Sequence, residues 1–421
     1  MPSLPSFPAF QLSSFPAVWL LASRPFGEEI ELNTIPKILG GLYIHIPFCK
    51  SKCLYCDFYS ITDLTKTNPF LAALEREMEL AGQCTLVFDT LYIGGGTPSV
   101  LDNTAVEQIV AIAFNHFNIR SDAEVTIEVN PGTVTLEDLR RYRQAGVNRL
   151  NIGIQSFKEE NLKFLGRIHS REEALSSIDW ARQAGFENIG LDLIYGLPEQ
   201  DENHWQYDLD QAVQINPEHL SCYILTRESG TPLDREVLSD RIRLPAEDNL
   251  GKLFEITTDY LTNHGFHHYE ISNFARKTDT DQSSWKSRHN QKYWSFAPYI
   301  GLGPSAHSYL EPERHWNHRS IDKYLQDIRD GRLPIAEKER LSREQMILEA
   351  IYLGLRTAHG IDLGDFQRRF EIDFLKIFRE TIAGFEKDGL IRVAKNHCGL
   401  TPKGMVLHDG ITAEFTSQEV P

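Results

Sequence analysis

The amino-acid sequence predicts an α/β chain: a partial, open βα barrel followed by a C-terminal α-rich, winged-helix-like domain. Three observations carry that expectation. Short apolar segments alternate with amphipathic stretches of helical period from residue 41 to residue 225, the pattern of repeated βα units around a parallel sheet. The residues that are chemically out of place in an apolar core fall just past the ends of those segments, where a parallel barrel gathers its active site. Beyond residue 333 the alternation has gone, and helix, helix, hairpin replaces it.

Residues 1–38 are rich in Pro, Ser and Phe, carry one arginine before Gly27 and lack the basic start of a secretory signal, so they read as a flexible N-terminal arm. The barrel is expected over 39–240, with strands at 42–46, 90–93, 124–129, 149–154, 188–194 and 219–225. Between them, Asn68 is expected to cap a helix with Pro69 in its first turn. Residues 104–117 place Val106, Ile109, Val110, Ala113 and Phe117 on one face, and Ser170-Arg171-Glu172-Glu173 is a capping box. A helix is expected at 250–263, inside a connecting region at 241–333. There 265–318 hold six of the 15 histidines, where even spreading would put about two, and three of the six tryptophans. Aromatic rings and imidazoles together suit a flat, apolar, iron-bearing ligand, and equally an aromatic core. Gly331-Arg332-Leu333-Pro334 reads as a linker into the C-terminal domain at 334–421, with helices at 342–357, 366–370 and 374–385 and a hairpin joining 390–392 to 399–404.

Composition narrows the partners. A hydrophobic content of 41% and a formal net charge of -16 describe a globular chain without the basic surface that binding many phosphates needs, so nucleic acid is not expected. Glu337, Glu339, Glu344, Asp362 and Asp365 give the winged-helix-like domain the wrong sign for DNA. No apolar run reaches the ~18 to 20 residues of a membrane span, which leaves room only for peripheral membrane contact; a homodimer stays open. Six cysteines, three of them clustered, fit a reducing, cytoplasmic setting, and Cys84, Cys222 and Cys398 read as ordinary thiols.

The chemistry centres on Cys49, Cys53 and Cys56, a CxxxCxxC loop leaving the first strand, with Lys50 and Lys52 expected to favour the thiolates. Zinc would want a fourth protein ligand, which neither flank supplies at the usual spacing. Three cysteines on an iron-sulfur cube leave one iron open. With Tyr55 before the last cysteine and Tyr43-x-His45-x-Pro47-Phe48 before the first, the segment resembles the radical SAM superfamily, in its oxygen-independent coproporphyrinogen III oxidase-like branch.

That resemblance implies a 4Fe-4S cluster on the three cysteines, exchangeable with S-adenosyl-L-methionine (SAM). It also implies SAM contacts at Tyr43, Tyr55, Gly95, Gly96, Thr97, Glu128, Gln155, Arg167 and Asp192. Carboxylates, an arginine and an aromatic ring are suited to a zwitterionic nucleoside. Gly96→Val is expected to weaken SAM binding and leave the cluster in place.

A further motif, His289-Asn290-Gln291-Lys292-Tyr293-Trp294, resembles the HNxxYW signature of the HemW-like heme chaperones, and Asp57 stands where the oxidase typically has a fourth cysteine. No catalytic residue is assigned. The implied function is binding of heme as cargo and delivery to a heme-accepting recipient protein, with His289 as the heme ligand. The alternatives are oxygen-independent coproporphyrinogen III dehydrogenase, acting through an adenosyl radical, and a radical SAM RNA modifier, which the acidity disfavours.

Overall fold

A computed structural model describes residues 39–278 and 285–416; the arm expected at 1–38 lies outside the described residues. β1 (Gly40–Ile46), β2 (Val87–Gly95), β3 (Asn118–Val129), β4 (Arg149–Gln155), β5 (Ile189–Tyr195) and β6 (His219–Ile224) pair in parallel and in sequence order. Helices cover the sheet, so these strands are buried on both faces and read as near-continuous apolar runs.

The sheet continues past both ends of that series. β7 (Phe266–Glu270) and β8 (Asn273–Arg276) form a hairpin beyond β6. β9 (Tyr299–Leu302), β10 (His307–Leu310), β11 (Glu313–Asn317) and β12 (Ile335–Arg340) extend the other edge. The order is β12-β11-β10-β9-β1-β2-β3-β4-β5-β6-β8-β7, and β9 runs parallel to β1. The barrel is therefore open. Residues 241–333, read from sequence as a connecting region, supply five of these twelve strands.

Local sequence explains the helices. The one expected to start at Asn68 begins a residue earlier, as Thr67–Ala81, after a short turn capped by Asp63; Asn68 is not its cap. Its buried face is Phe70, Ala73, Leu74 and Met78, spaced three and four residues apart, and it also buries Glu77. The Glu77 carboxylate accepts from Tyr324 Oη at 2.7 Å, Asn317 Nδ2 at 2.7 Å and the Gly303 N–H at 2.8 Å, which ties the helix to the β9–β11 edge. Burial pushes this carboxyl up to about 7, although all three donors pull it down. The helix Asn103–His116 is capped by Asp102, and the Ser170/Glu173 capping box forms.

The C-terminal part has its own apolar core, including Ile347, Ile351, Leu355, Phe366, Phe378 and Phe415. Helices surround a small antiparallel sheet of β13 (Ile361–Asp362), β14 (Ile391–Ala394) and β15 (His397–Leu400), with β15 central. Arg356 joins it to the barrel through an ion pair at 3.1 Å with Glu270, which is fully buried. Among the described residues no helix is long and apolar enough to cross a membrane.

Candidate functional site

At the end of β1 the chain turns through Pro47 and Phe48, and the loop that follows is closed at its base by a two-bond bridge. The Ile61 N–H donates to Pro47 O at 2.8 Å and the Cys49 N–H to Ile61 O at 3.0 Å. Inside that base the loop is fastened at its middle, where the Leu54 N–H donates to Leu165 O and the Leu233 N–H to Leu54 O. Cys49, Cys53 and Cys56 sit on this loop and line one cavity of about 1090 Å³ above the C-terminal ends of the strands. Thr97 Oγ1 donates to Cys49 Sγ at 3.3 Å and Arg167 Nη1 lies 3.6 Å from Cys53 Sγ. Burial pushes the Cys56 thiol up to about 11, while Lys52 pulls it down in the expected direction.

Tyr43, Tyr55, Gly95, Gly96, Thr97, Glu128, Gln155, Arg167 and Asp192 all line the same cavity. Glu128 accepts from Tyr92 Oη at 2.9 Å and the Gly95 N–H at 3.1 Å, and burial pushes it up to about 7. Asp192 accepts from Asn151 Nδ2 at 2.6 Å, while its Oδ1 is buried without a hydrogen-bond partner among the described residues. Arg167 Nη2 donates to Gly153 O at 2.8 Å and its Nε is likewise buried and unpartnered. Gln155 has φ 68°, in the left-handed region, at an irregularity in the pairing of β4 with β5 that turns the strand end toward the cavity.

The glycines act differently from the expectation. A Cβ on Gly95 (φ 109°) would lie 2.5 Å from the His45 ring, and one on Gly96 would lie 2.7 Å from Phe48 O and 2.9 Å from Ile46 O. The Gly96 N–H donates to Ile46 O at 2.8 Å and the Thr97 N–H to Phe48 O at 2.7 Å. These glycines let β2 dock against the root of the cysteine loop. A side chain at Gly96 would press on the root of the loop, so Gly96→Val is expected to disturb the cysteine loop as well as SAM binding.

His289 is outside the cavity. It is 1% exposed and stacks on Tyr92 at a centroid distance of 5.0 Å; its Nδ1 pairs with Thr90 Oγ1 at 2.8 Å and its Nε2 with Tyr293 Oη at 2.9 Å. Burial pushes it down to about 3. Both nitrogens are engaged beneath the floor, where the ring braces Tyr43 and Tyr92, and the expected iron ligation would have to break one of these two bonds. The rest of its motif is equally structural. Ser287 caps the helix Arg288–Trp294, the Glu124 carboxylate accepts from the Arg288 and His289 N–H groups, Lys292 pairs with Asp89 at 2.6 Å, and Arg356 lies over the Trp294 ring at 4.4 Å.

Other lining residues escaped the sequence. Asn151, a polar residue inside an apolar strand, carried a local signal. His307 stands in the histidine-rich stretch the sequence marks, whereas Arg319 and Tyr59 carry no signal; β9–β11 and the return of the cysteine loop bring all three in. Arg319 donates to Asp57 Oδ1 at 2.9 Å, clasping the cysteine loop to the segment after β11.

The donor set fits a three-thiolate cluster. The unpartnered Asp192 Oδ1 and Arg167 Nε, with the raised Glu128, fit a neighbouring ligand that has both hydrogen-bond donors and a carboxylate.

Comparison with known proteins agrees. Residues 43–212 match the Radical SAM superfamily and 341–407 the HemN C-terminal domain. The chain is 33% identical over 387 residues to the heme chaperone HemW of Bacillus subtilis (strain 168), covering 90% of this chain and 100% of that one. It is 30% identical over 356 residues to the mitochondrial radical S-adenosyl methionine domain-containing protein 1 of Danio rerio, covering 82% and 79%. Among solved structures, the radical SAM enzyme coproporphyrinogen III oxidase (HemN) from Escherichia coli superposes with a TM-score of 0.78 at 25% identity, over 91% of this chain and 92% of that one.

Proposed function

The chain belongs to the HemW family of the radical SAM superfamily, and from that premise we propose that it binds a 4Fe-4S cluster, SAM and heme, and passes the heme to a recipient protein. The observation that supports this most is the meeting of three thiols and nine SAM-type contacts in one cavity. At about 1090 Å³ it exceeds the roughly 300–1,000 Å³ typical of one small-molecule site, leaving room for a flat macrocycle beside a nucleoside.

Cys49, Cys53 and Cys56 would hold the cluster. When bound, it supplies one-electron chemistry and an iron with an open coordination position. Thr97 and Arg167 donate toward the sulfur atoms, which lowers the cost of their charge. Glu128 and Asp192 would accept from amino and hydroxyl groups of SAM, and Arg167 would hold its carboxylate. Heme lies toward the wall formed by His307 and Arg319. His45 has both ring nitrogens engaged, with Tyr43 Oη at 3.1 Å and Tyr59 O at 2.8 Å. The Nδ1 of His307 is unpartnered, so we place the iron on His307 rather than His289.

The similarity to coproporphyrinogen III oxidase favours a second reading, oxidation of a porphyrinogen on the same fold. Asp57, held by Arg319, stands against it.

One experiment separates the two. Anaerobically reconstituted protein is titrated with heme, and in parallel incubated with coproporphyrinogen, SAM and a reductant. The chaperone reading expects a shifted Soret band, lost or altered in His307→Ala, and no decarboxylated product. Product formation without heme binding overturns it, and an unchanged spectrum in His307→Ala removes His307 as the ligand.

A further inference from the structure

Away from the cavity, in the C-terminal domain, three side chains with metal-ligating atoms converge. His359 lies in the bend after the helix Arg343–Leu355, Asp362 ends β13, and His397 is its direct cross-strand partner at the start of β15. One ligand atom from each lies within 4.8 Å of the other two. The imidazole centroids are 3.8 Å apart, His397 Nε2 is 4.0 Å from Asp362 Oδ2, and His397 Nδ1 is buried with no hydrogen-bond partner.

The backbone holds this arrangement from behind. Asp362 Oδ1 accepts from the Asp365 N–H at 2.7 Å and from Asn396 Nδ2 at 3.0 Å, which aims the carboxylate and leaves Oδ2 for His397. Gly360 (φ 76°) packs so closely on β15 that a Cβ there would lie 2.3 Å from Cys398 O, so the segment carrying His359 cannot drift from the strand carrying His397. Three ligands thus stand on two rigid, touching segments.

A proton alone explains the cluster poorly. A His–Asp pair at 4.0 Å with both partners partly exposed is weak, and it gives no reason for a second imidazole against the first. The positive groups facing the cluster are Lys286, toward His359, and Arg368, toward Asp362; at a partly exposed site salt screens them. Heme does not fit, because rings 3.8 Å apart leave no space for a macrocycle between them. Two imidazoles and a carboxylate are the wrong donors for magnesium or calcium and the right ones for a borderline divalent ion. With bonds of ~2.0–2.2 Å a tetrahedral ion needs ligand atoms ~3.3 Å apart, which rotation of these side chains supplies.

We infer that His359, Asp362 and His397 form a site for a divalent transition metal, zinc(II) by chemistry, with solvent completing the shell. The ion staples the bend after the helix Arg343–Leu355 to the β14–β15 hairpin.

The test uses the full chain with its cysteine site already reconstituted, so that those thiols do not take the metal. Equilibrium dialysis against zinc(II) alone is expected to show one equivalent bound beyond the cluster. Cobalt(II) is expected to give visible bands of nitrogen and oxygen ligation without a sulfur charge-transfer band, and zinc to raise the unfolding temperature by on the order of 5 °C at hundredfold excess over Kd. His359→Ala, at an exposed position that should not disturb folding, and His397→Ala should each weaken zinc at least tenfold, while His264→Ala should not. No extra zinc at ~100 µM free metal, or binding that survives both His359→Ala and His397→Ala, overturns the site.

Discussion

Gly96→Ala isolates the contact that positions the metal loop, because the added Cβ alone would lie 2.7 Å from Phe48 O and 2.9 Å from Ile46 O. Both atoms are backbone, so no side chain can swing away. Relief requires β2 to separate from the root of the loop, which breaks the 2.8 Å bond from the Gly96 N–H and the 2.7 Å bond from the Thr97 N–H. Two hydrogen bonds at about 0.5–1.5 kcal/mol each, plus about 1–3 kcal/mol for overpacking, give a cost of roughly 2–6 kcal/mol. Thr97 also loses its 3.3 Å contact with Cys49 Sγ. The assay is iron and sulfide per chain after anaerobic reconstitution, with the unfolding temperature measured on the same samples. Iron is expected to fall below half of the wild-type value, with SAM affinity falling because the cluster is lost. Gly132→Ala is the control, since its Cβ would meet nothing closer than 3.4 Å. Wild-type iron, sulfide and unfolding temperature in Gly96→Ala would refute the reasoning.

Replacing Cys49, Cys53 or Cys56 by Ala should each abolish the visible iron-sulfur absorbance, whereas Cys84→Ala should keep it, because the Cys84 sulfur only accepts from the Leu86 N–H at 3.4 Å; equal iron in Cys53→Ala would contradict this. Glu77 makes stability depend on pH. Its carboxyl is raised from an ordinary 4.5 to about 7, so between those values the unfolded chain releases a proton that the folded chain keeps. Stability therefore falls as pH rises, by about 1.4 kcal/mol per unit and about 3 kcal/mol in all, and is level above pH 7. Glu77→Gln loses hydrogen bonds but also this slope. The urea-midpoint difference between wild type and variant should shrink from pH 5 to pH 7, and a constant difference would contradict the assignment.

The site was legible where local chemistry broke a strong pattern. Cys49, Cys53 and Cys56 follow an apolar strand at a spacing no core needs, and Glu128 and Asp192 are carboxylates on strands that otherwise bury everything. All six parallel strands could be read for the same reason. Reading failed where tertiary contact decides. β9–β12 are short and mix His, Trp, Arg and Glu with apolar residues, so no period marks them, and with them went the placement of His307 and Arg319 at the cavity. The motif of His289 marks the family, whereas its place under Tyr92 depends on a helix packed below the sheet. Gly96 lines the cavity as expected, but its packing on the carbonyls of Ile46 and Phe48 is a contact between residues about fifty positions apart that no local pattern reveals.

β1 lies between β2 and β9, and Gly41–Ile44 pair on one side with Tyr299–Leu302. During synthesis, some 255 residues separate Ile44 from Tyr299 (299 − 44), which at ~5–20 residues per second is roughly 13–50 s. Through that interval the nascent chain presents the strand ahead of the cysteine loop as an unpaired edge, the kind of surface that recruits other strands. The wall bearing His307 and Arg319, with its clasp on Asp57, is also still inside the ribosome or not yet made. The cysteine loop is thus made long before the wall that closes over it.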